Sequence, residues 1–293
     1  MRLVVLGMGY SARQFVEQGR ARFTSVAVTV RSPEKATRLR AGGIEASVLS
    51  GSVADPSLLT AIQNADALLV SIPAEDGGDP ALPLLGEVIR TAPRLDWIGY
   101  LSTVGVYGDH QGALVDESSD LRATSERGLR RIAAERGWLD LGAASGKAVH
   151  VFRLAGIYGP GRNQLAAIAE GTARRIIKAG QKFSRIHVED IAGACLASLG
   201  RPDAGAIYNV ADNEPAPPQD VIAFAAGLLG IAAPPEEPFE RATLSPMARS
   251  FYMDSRQISN AKLRNRLGYV LRYPTYREGL SALFEAGEGL QNR

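Results

Sequence analysis

The chain has 293 residues, with 33 Lys+Arg against 31 Asp+Glu and a formal charge of +2. Its hydrophobic share of 45% and charged share of 22% are ordinary globular usage, and the near-neutral balance argues against a nucleic-acid partner held by a broad basic footprint. The one cysteine, Cys195, excludes an intrachain disulfide framework and a cysteine-cluster metal site; His110, His150 and His187 are not at ligand-like spacing, so no metal is expected.

No run approaches the ~18–20 apolar residues of a membrane helix. The opening MRLVVLGMGY carries one charge and a short apolar run, which breaks into a glycine turn rather than a small-residue cleavage site. A cytoplasmic protein with no membrane partner is the expectation. Length alone suggests about two domains, or one domain with an appended lobe.

Residues 3–6 form a continuous apolar run ending at Gly7, and 11–19 follow as a helix. Residues 26–30 are rich in β-branched side chains and stop at Arg31-Ser32-Pro33, where a second helix can begin. Further strands are predicted at 45–49, 67–70 and 97–101. Asp55-Pro56 opens a segment running to Ile62, and 82–89 reads as a helix. A long Arg- and Ala-rich helix is predicted over 119–138, then a strand over 149–154. Short apolar strands separated by helices predict βαβ units and a parallel sheet, an α/β chain.

After Gly159 the pattern changes. Residues 158–161 are a loop and 164–179 a helix by pattern. Asp190 is a good N-cap for a helix over 191–199, stopped by Gly200. A strand at 207–210, a loop at 212–218 and a helix at 220–229 follow. The Pro-rich stretch 231–238 is expected to be the mobile connector, and helices are predicted at 259–267 and 276–286.

Gly7-Met8-Gly9-Tyr10-Ser11-Ala12 is a GxGxxA turn between a predicted strand and a predicted helix. Gly7 permits the tight turn, Gly9 lets a pyrophosphate approach the backbone, and Ala12 lets the helix pack closely on the sheet. The helix N-terminus at Tyr10 and Ser11 then offers free N–H donors and a partial positive charge to phosphates. The competing reading is a plain strand–helix turn with two convenient glycines. Ser71, directly after the strand at 67–70, is counted with the same site. An NAD site has an Asp or Glu about 20 residues after the turn, on the ribose 2′-hydroxyl. Here the second strand ends Thr29-Val30-Arg31-Ser32, with no acid. Arg31 can pair a 2′-phosphate and Ser32 can add a hydroxyl, so NADP is favoured over NAD. The alternative for Arg31 is a solvated arginine in an Arg-rich chain.

Several segments together resemble the short-chain dehydrogenase/reductase superfamily, in its extended NAD-dependent epimerase/dehydratase branch. Besides the glycine turn, they are Tyr100-Leu101-Ser102-Thr103-Val104-Gly105-Val106-Tyr107-Gly108, Asp116-Glu117, Arg153 with Tyr158-Gly159-Pro160-Gly161-Arg162, His187-Val188-Glu189-Asp190 and Tyr208-Asn209-Val210. The resemblance spans about residues 1–212, with a weaker match over 259–268. It implies a Rossmann-type doubly wound parallel sheet with a small C-terminal substrate lobe. The implied division is a dinucleotide-binding domain over 1–158 and 187–212, and a substrate-binding lobe over 159–186 and 213–293. A homodimer through the long helices, here 119–138 and 164–179, is also implied.

The chain departs from the family at the catalytic pair. The family's Tyr, with a Lys four residues later, falls on Arg127 and Arg131, counted back from Glu135, which looks like the family's helix glutamate. The resemblance makes this an atypical member. Arginine stays protonated at neutral pH and shuttles no proton. Arg131 can still hold a coenzyme ribose, and Arg127 can orient an anion bidentately, or both can be an exposed basic face. Thr103 falls at the family's Ser/Thr position. For the proton, Tyr107 and Tyr158 are the tyrosines expected on loops at the pocket, with Asp116 and Glu117 as further candidates. Arg241, Arg249 and Arg256 are candidates for an anionic substrate, or solvated surface. Two functions follow: an NAD(P)-dependent oxidoreductase or epimerase/dehydratase acting on a small polar substrate such as a nucleotide sugar, or a coenzyme-sensing protein without turnover.

Overall fold

Strands that are apolar on both faces need cover on both faces, and the chain supplies it with helices between them. The computed structural model describes residues 1–49, 53–76, 78–201 and 205–290; the expected division of the chain also runs through 50–52, 77, 202–204 and 291–293, outside these. In chain order the first half is β1 (Arg2–Leu6), α1 (Tyr10–Gln18), β2 (Ser25–Val30), α2 (Pro33–Ala41), β3 (Glu45–Val48), α3 (Pro56–Gln63), β4 (Ala67–Val70), α4 (Leu82–Thr91) and β5 (Trp97–Thr103). A two-residue β6 (Leu114–Val115) precedes α5 (Glu126–Ser145) and β7 (Ala148–Leu154). Then come β8 (Gly156–Tyr158), α6 (Gln164–Ala169), β9 (Arg175–Ile177), β10 (Arg185–His187), α7 (Val188–Leu199) and β11 (Ala206–Val210). The last part has α8 (Pro218–Leu228), β12 (Glu236–Pro238), α9 (Pro246–Phe251), β13 (Gln257–Ile258), α10 (Ala261–Asn265) and α11 (Tyr276–Glu285).

Seven strands form one parallel sheet in the order β11-β7-β5-β4-β1-β2-β3. The order reverses between β1 and β4, and the ends of β1, β2 and β4 there open the crevice in which doubly wound sheets bind ligands. One face packs Phe15 and Val16 of α1 and Ile191 and Cys195 of α7. The other packs Ile62 of α3, Leu85 and Ile89 of α4 and Trp138 of α5. Two smaller apolar clusters lie apart from the sheet, one around Tyr158, Leu165, Val221 and Leu280, the other around Ile176, Phe239 and Tyr252.

Four sequence expectations are corrected. The long helix starts at Glu126, because Asp116 takes the Ser118 and Ser119 groups into a turn and the Ser125 hydroxyl caps Gly128 N–H. The helix expected over 164–179 ends at Ala169: Gly171 turns at φ +68°, and Thr172 and Ala173 bond back to the Ala167 carbonyl. That removes most of the second helix expected in a dimer contact. The stretch expected to be a mobile connector contributes β12, which pairs with β9 and is fastened by Arg174–Glu237 and Arg175–Glu236 ion pairs at 2.6 and 2.9 Å. Finally, α7 is capped by His187, whose Nδ1 accepts from Glu189 N–H at 3.3 Å. Asp190 instead accepts from Tyr269 Oη and from Arg272 and Tyr273 N–H at 2.8, 2.6 and 3.1 Å, pinning the segment before α11.

A buried polar chain ties the middle of the sheet to α5. Glu135 and Arg153 pair at 2.8 Å, each 3% exposed. Ser102 Oγ donates to Glu135 at 2.5 Å, Arg153 donates to Tyr107 Oη at 2.9 Å, and Tyr107 donates to Asn209 Oδ1 at 2.7 Å. Removing one partner of such a pair strands the other charge out of water, at a cost of ~3–5 kcal/mol. Glu135→Leu should therefore lose about that much stability in a urea titration at neutral pH, and Glu135→Leu with Arg153→Met should recover most of it.

Candidate functional site

The site is built on the β1–α1 turn. Gly7 sits at φ +91°, and a Cβ there would lie 2.6 Å from Ile72 Cγ2 and 3.1 Å from Ile72 N. Thr29, buried at the end of β2, holds the turn from beneath: its Oγ1 accepts from Gly7 N–H at 2.9 Å and its carbonyl from Met8 N–H at 3.0 Å. Lys35 Nζ donates to the Met8 carbonyl at 2.7 Å. Gly9 is the N-cap of α1, and no side chain caps the helix. Its first-turn N–H groups thus carry the positive end of the helix without a built-in partner. Ala12 is fully buried and Ser11 nearly so, which seats the helix on the sheet. A Cβ at Gly9 would come no nearer to anything than 3.8 Å from Ser71 Oγ, an ordinary contact, so the turn lies beside the end of β4. Tyr10 reaches over to the segment after β8: its hydroxyl donates to the Pro160 carbonyl at 3.0 Å, and burial pushes its pKa up to about 12.

The structure thus brings Gly7, Gly9, Tyr10, Ser11, Ala12 and Ser71 together. Arg31 and Ser32 stand just past β2. Arg31 is well exposed and lies 3.7 Å from Glu75 Oε1. Ser32 is committed to its helix: its hydroxyl caps α2 at Lys35 N–H and donates to Glu34. Thr103 ends β5, where its Oγ1 accepts from Gly105 N–H at 3.1 Å and keeps its own proton to donate. Arg131 donates to Tyr100 Oη and the Leu101 carbonyl at 2.9 and 3.0 Å. Arg127 is exposed on the first turn of α5 with no polar partner among the described residues.

The expected proton carriers are elsewhere. Tyr107 closes a 3-10 turn, is fully buried, and is held between Arg153 and Asn209. Tyr158 ends β8, buried, with its hydroxyl toward the Thr275 carbonyl at 3.4 Å. Burial raises the pKa of both hydroxyls. Neither lies on a loop at the mouth of the crevice, so both are corrected as pocket-lining residues. Asp116 caps its own turn, and Glu117, raised by burial, accepts from Asn209 N–H at 2.7 Å. Arg249 and Arg256 serve backbone carbonyls of Ala242 and Gly108. Sequence reasoning missed Thr29, Lys35 and Glu75. Thr29 had one visible signal, a hydroxyl among Val26, Ala27, Val28 and Val30. Two surface cavities, of about 400 Å³ beside Met8, Val16 and Leu39 and about 460 Å³ beside Glu117 and Lys262, lie apart from Thr103.

A buried titratable residue follows β11, its N–H donating to the Arg185 carbonyl at 2.7 Å. Asp212 is 1% exposed, and burial pushes its pKa up to about 7, against the Glu214 N–H bond and the Arg185 charge. Nearby His187 moves the opposite way, down to about 4, because burial and Arg272 disfavour its cation.

Two predictions follow from this geometry. Gly7→Ala should lower stability by about 1–3 kcal/mol, since it forces a positive φ on a side chain, whereas Gly9→Ala should stay within about 0.5 kcal/mol; urea titrations of both compare them. Asp212 is raised above its unfolded value of ~3.9, so its contribution is complete below that value and lost as pH rises through about 7. The stability of Asp212→Asn relative to the unaltered chain should therefore increase between pH ~4 and ~7; the His187 contribution is common to both chains and cancels.

No described helix is long and apolar enough to cross a membrane, and no cluster of three or more metal-ligating side chains occurs among the described residues. A functionally unknown conserved protein from Silicibacter pomeroyi DSS has a solved structure that is 46% identical, covers 98% of this chain and 99% of that one, and superposes with a TM-score of 0.88. Protein YeeZ of Escherichia coli (strain K12) is 28% identical over 283 residues, 93% of this chain and 96% of that one. The dTDP-glucose 4,6-dehydratase of Bacillus anthracis str. Ames, solved in complex with NAD, shares the fold at a TM-score of 0.75 and 18% identity, over 98% and 97% of the two chains. The family model of NAD dependent epimerase/dehydratase proteins matches residues 84–211. With the parallel sheet, the switch-point turn and these likenesses together, the chain belongs to the NAD dependent epimerase/dehydratase family.

Proposed function

We propose that the protein is a nicotinamide-dinucleotide-dependent enzyme of the epimerase/dehydratase kind, acting on a small polar substrate such as a nucleotide sugar and favouring NADP over NAD. The observation that carries it is the uncapped α1 N-terminus behind Gly7, at the point where the strand order reverses. A side chain at Gly7 would collide with Ile72 just past β4, so the tight turn needs glycine there, and Gly9 carries no side chain over the α1 N-terminus. The residues fit a dinucleotide: N–H groups of Tyr10, Ser11 and Ala12 for the diphosphate, and Arg31 for the adenosine end, Ser32 being spent on its helix cap and Glu34. The coenzyme supplies a hydride donor or acceptor at the nicotinamide.

The chain's own residues do the rest. Thr103 donates a hydrogen bond to a substrate oxygen, and no proton carrier is assigned. Arg131 holds a fixed positive charge at the end of β5, and Arg127 orients an anionic group of the substrate. Neither arginine moves a proton. The smaller clusters around Leu165 and Phe239 belong to the substrate-binding part in this reading. A cytoplasmic location and pairing of two copies through α5, where Leu129 is half-exposed, belong to the same proposal.

A second reading is favoured by the tyrosines. The hydroxyls of Tyr100, Tyr107 and Tyr158 are buried, bonded and raised above the ordinary range, so none is poised as the family's general acid/base. General acid/base work contributes typically 10²–10⁴-fold. Its loss would suit a coenzyme-binding protein without turnover. Incubation with NADPH and a panel of carbonyl compounds and nucleotide sugars separates the two. Turnover reduced at least ~10-fold by Thr103→Ala is the expected result. Tight binding without turnover, indifferent to Thr103→Ala, selects the second reading. Arg31→Asp should weaken NADPH and spare NADH in either case.

A further inference from the structure

We propose that Glu75 sets coenzyme preference by occupying Arg31 in the free chain, where the 2′-phosphate of NADP would otherwise pair. This rests on the coenzyme reading above and adds to it a second, opposing determinant. β2 and β4 flank β1 on opposite sides, and adjacent strands lie ~4.8 Å apart. Arg31 immediately follows β2, and Glu75 lies five residues past the end of β4. Their 3.7 Å contact therefore reaches across the end of β1, over the side of the crevice where an adenosine ribose would lie.

Glu75 is held there through its backbone. Its N–H donates to the Gly78 carbonyl at 2.8 Å, and Gly78 N–H returns the bond at 2.9 Å. Its neighbour Asp76 is tied to Arg130 of α5, which also holds Glu126 at 3.0 Å. The Glu75 carboxylate has no other ionic partner among the described residues, and neither has Arg31. The pair itself is loose. The side chains are 71% and 54% exposed, and 3.7 Å is beyond a hydrogen bond. Such exposed pairs are weak and screened by salt, so a better anion can displace this one. A phosphate carries more charge than a carboxylate and accepts bidentately from arginine.

Other charges frame the exchange. Glu34, at the start of α2, is engaged by Ser32, and Lys35 is engaged by the Met8 carbonyl. Glu34 forms no ion pair with Arg31 among the described residues. Once displaced, Glu75 becomes a free carboxylate beside the incoming phosphate, which lowers the advantage of NADP. An NAD ribose, with no phosphate, leaves the Arg31–Glu75 pair in place.

Titration calorimetry of the full chain tests this with NADPH, NADH, and adenosine 2′,5′-bisphosphate against ADP. Glu75→Gln should tighten NADPH and the 2′,5′-bisphosphate about two- to fivefold, the range of an exposed pair, and leave NADH and ADP unchanged. The gain should shrink with added salt and vanish in an Arg31→Gln background. An equal gain for all four ligands would mean that Glu75 merely repels anions, and it would overturn the proposal. Weaker NADH binding in Glu75→Gln would mean that Glu75 holds the ribose hydroxyls, and it too would overturn it. If the unaltered chain binds NADPH and Glu75→Gln changes nothing, this inference alone falls. If the unaltered, folded chain binds neither coenzyme, the coenzyme reading falls with it.

Discussion

The Glu135–Arg153 pair is the constraint around which the central structure is arranged. Two charges, each 3% exposed, are held out of water. That is sustainable only with good geometry and with remaining polar atoms satisfied. Ser102, Tyr107 and Asn209 complete the set, and each comes from a different element: β5, the turn after it, and β11. The pair therefore fixes α5 in rotation and height against β5 and β7. Arg131 stands one helical turn before Glu135, so the same contact decides that its guanidinium meets Tyr100 and the Leu101 carbonyl.

This arrangement also explains the division of labour among the polar residues near the end of β5. Tyr107 belongs to the brace rather than to the crevice. Thr103, four residues earlier, ends the strand with a hydroxyl that is only partly engaged. The site thus has hydrogen-bond donors and fixed cations, but its tyrosines are structural.

Much of the parallel sheet was legible in the sequence. Its strands are short apolar runs, and Gly7, Gly9 and Ala12 mark the turn after β1. The exceptions share a physical cause: local pattern was overridden by contacts distant in sequence. Arg- and Ala-rich residues after Ser119 favour helix, yet Arg122 and Ala123 are taken by the Tyr107 and Val106 carbonyls. Residues 170–179 have helical composition, but Arg174 and Arg175 find Glu237 and Glu236 some sixty residues away. Asp190 reads as a cap, and a network to Tyr269 and Arg272 outweighs that local use. Of the site, the glycine turn was visible because its constraint is local. The direction in which Tyr107 points, and the meeting of Arg31 with Glu75, depend on where whole strands lie and leave no mark in spacing.

Glu288 closes the segment that receives Tyr10. Its carboxylate accepts from Gly161 N–H and from Asn163 Nδ2, both at 2.9 Å, across 127 and 125 residues of chain. During synthesis the β1–α1 turn leaves the ribosome well before this brace does. Such long loops close slowly. A nascent chain can therefore form the glycine turn while the segment that receives Tyr10 is still unbraced, and that contact gains its second side only when Glu288 docks.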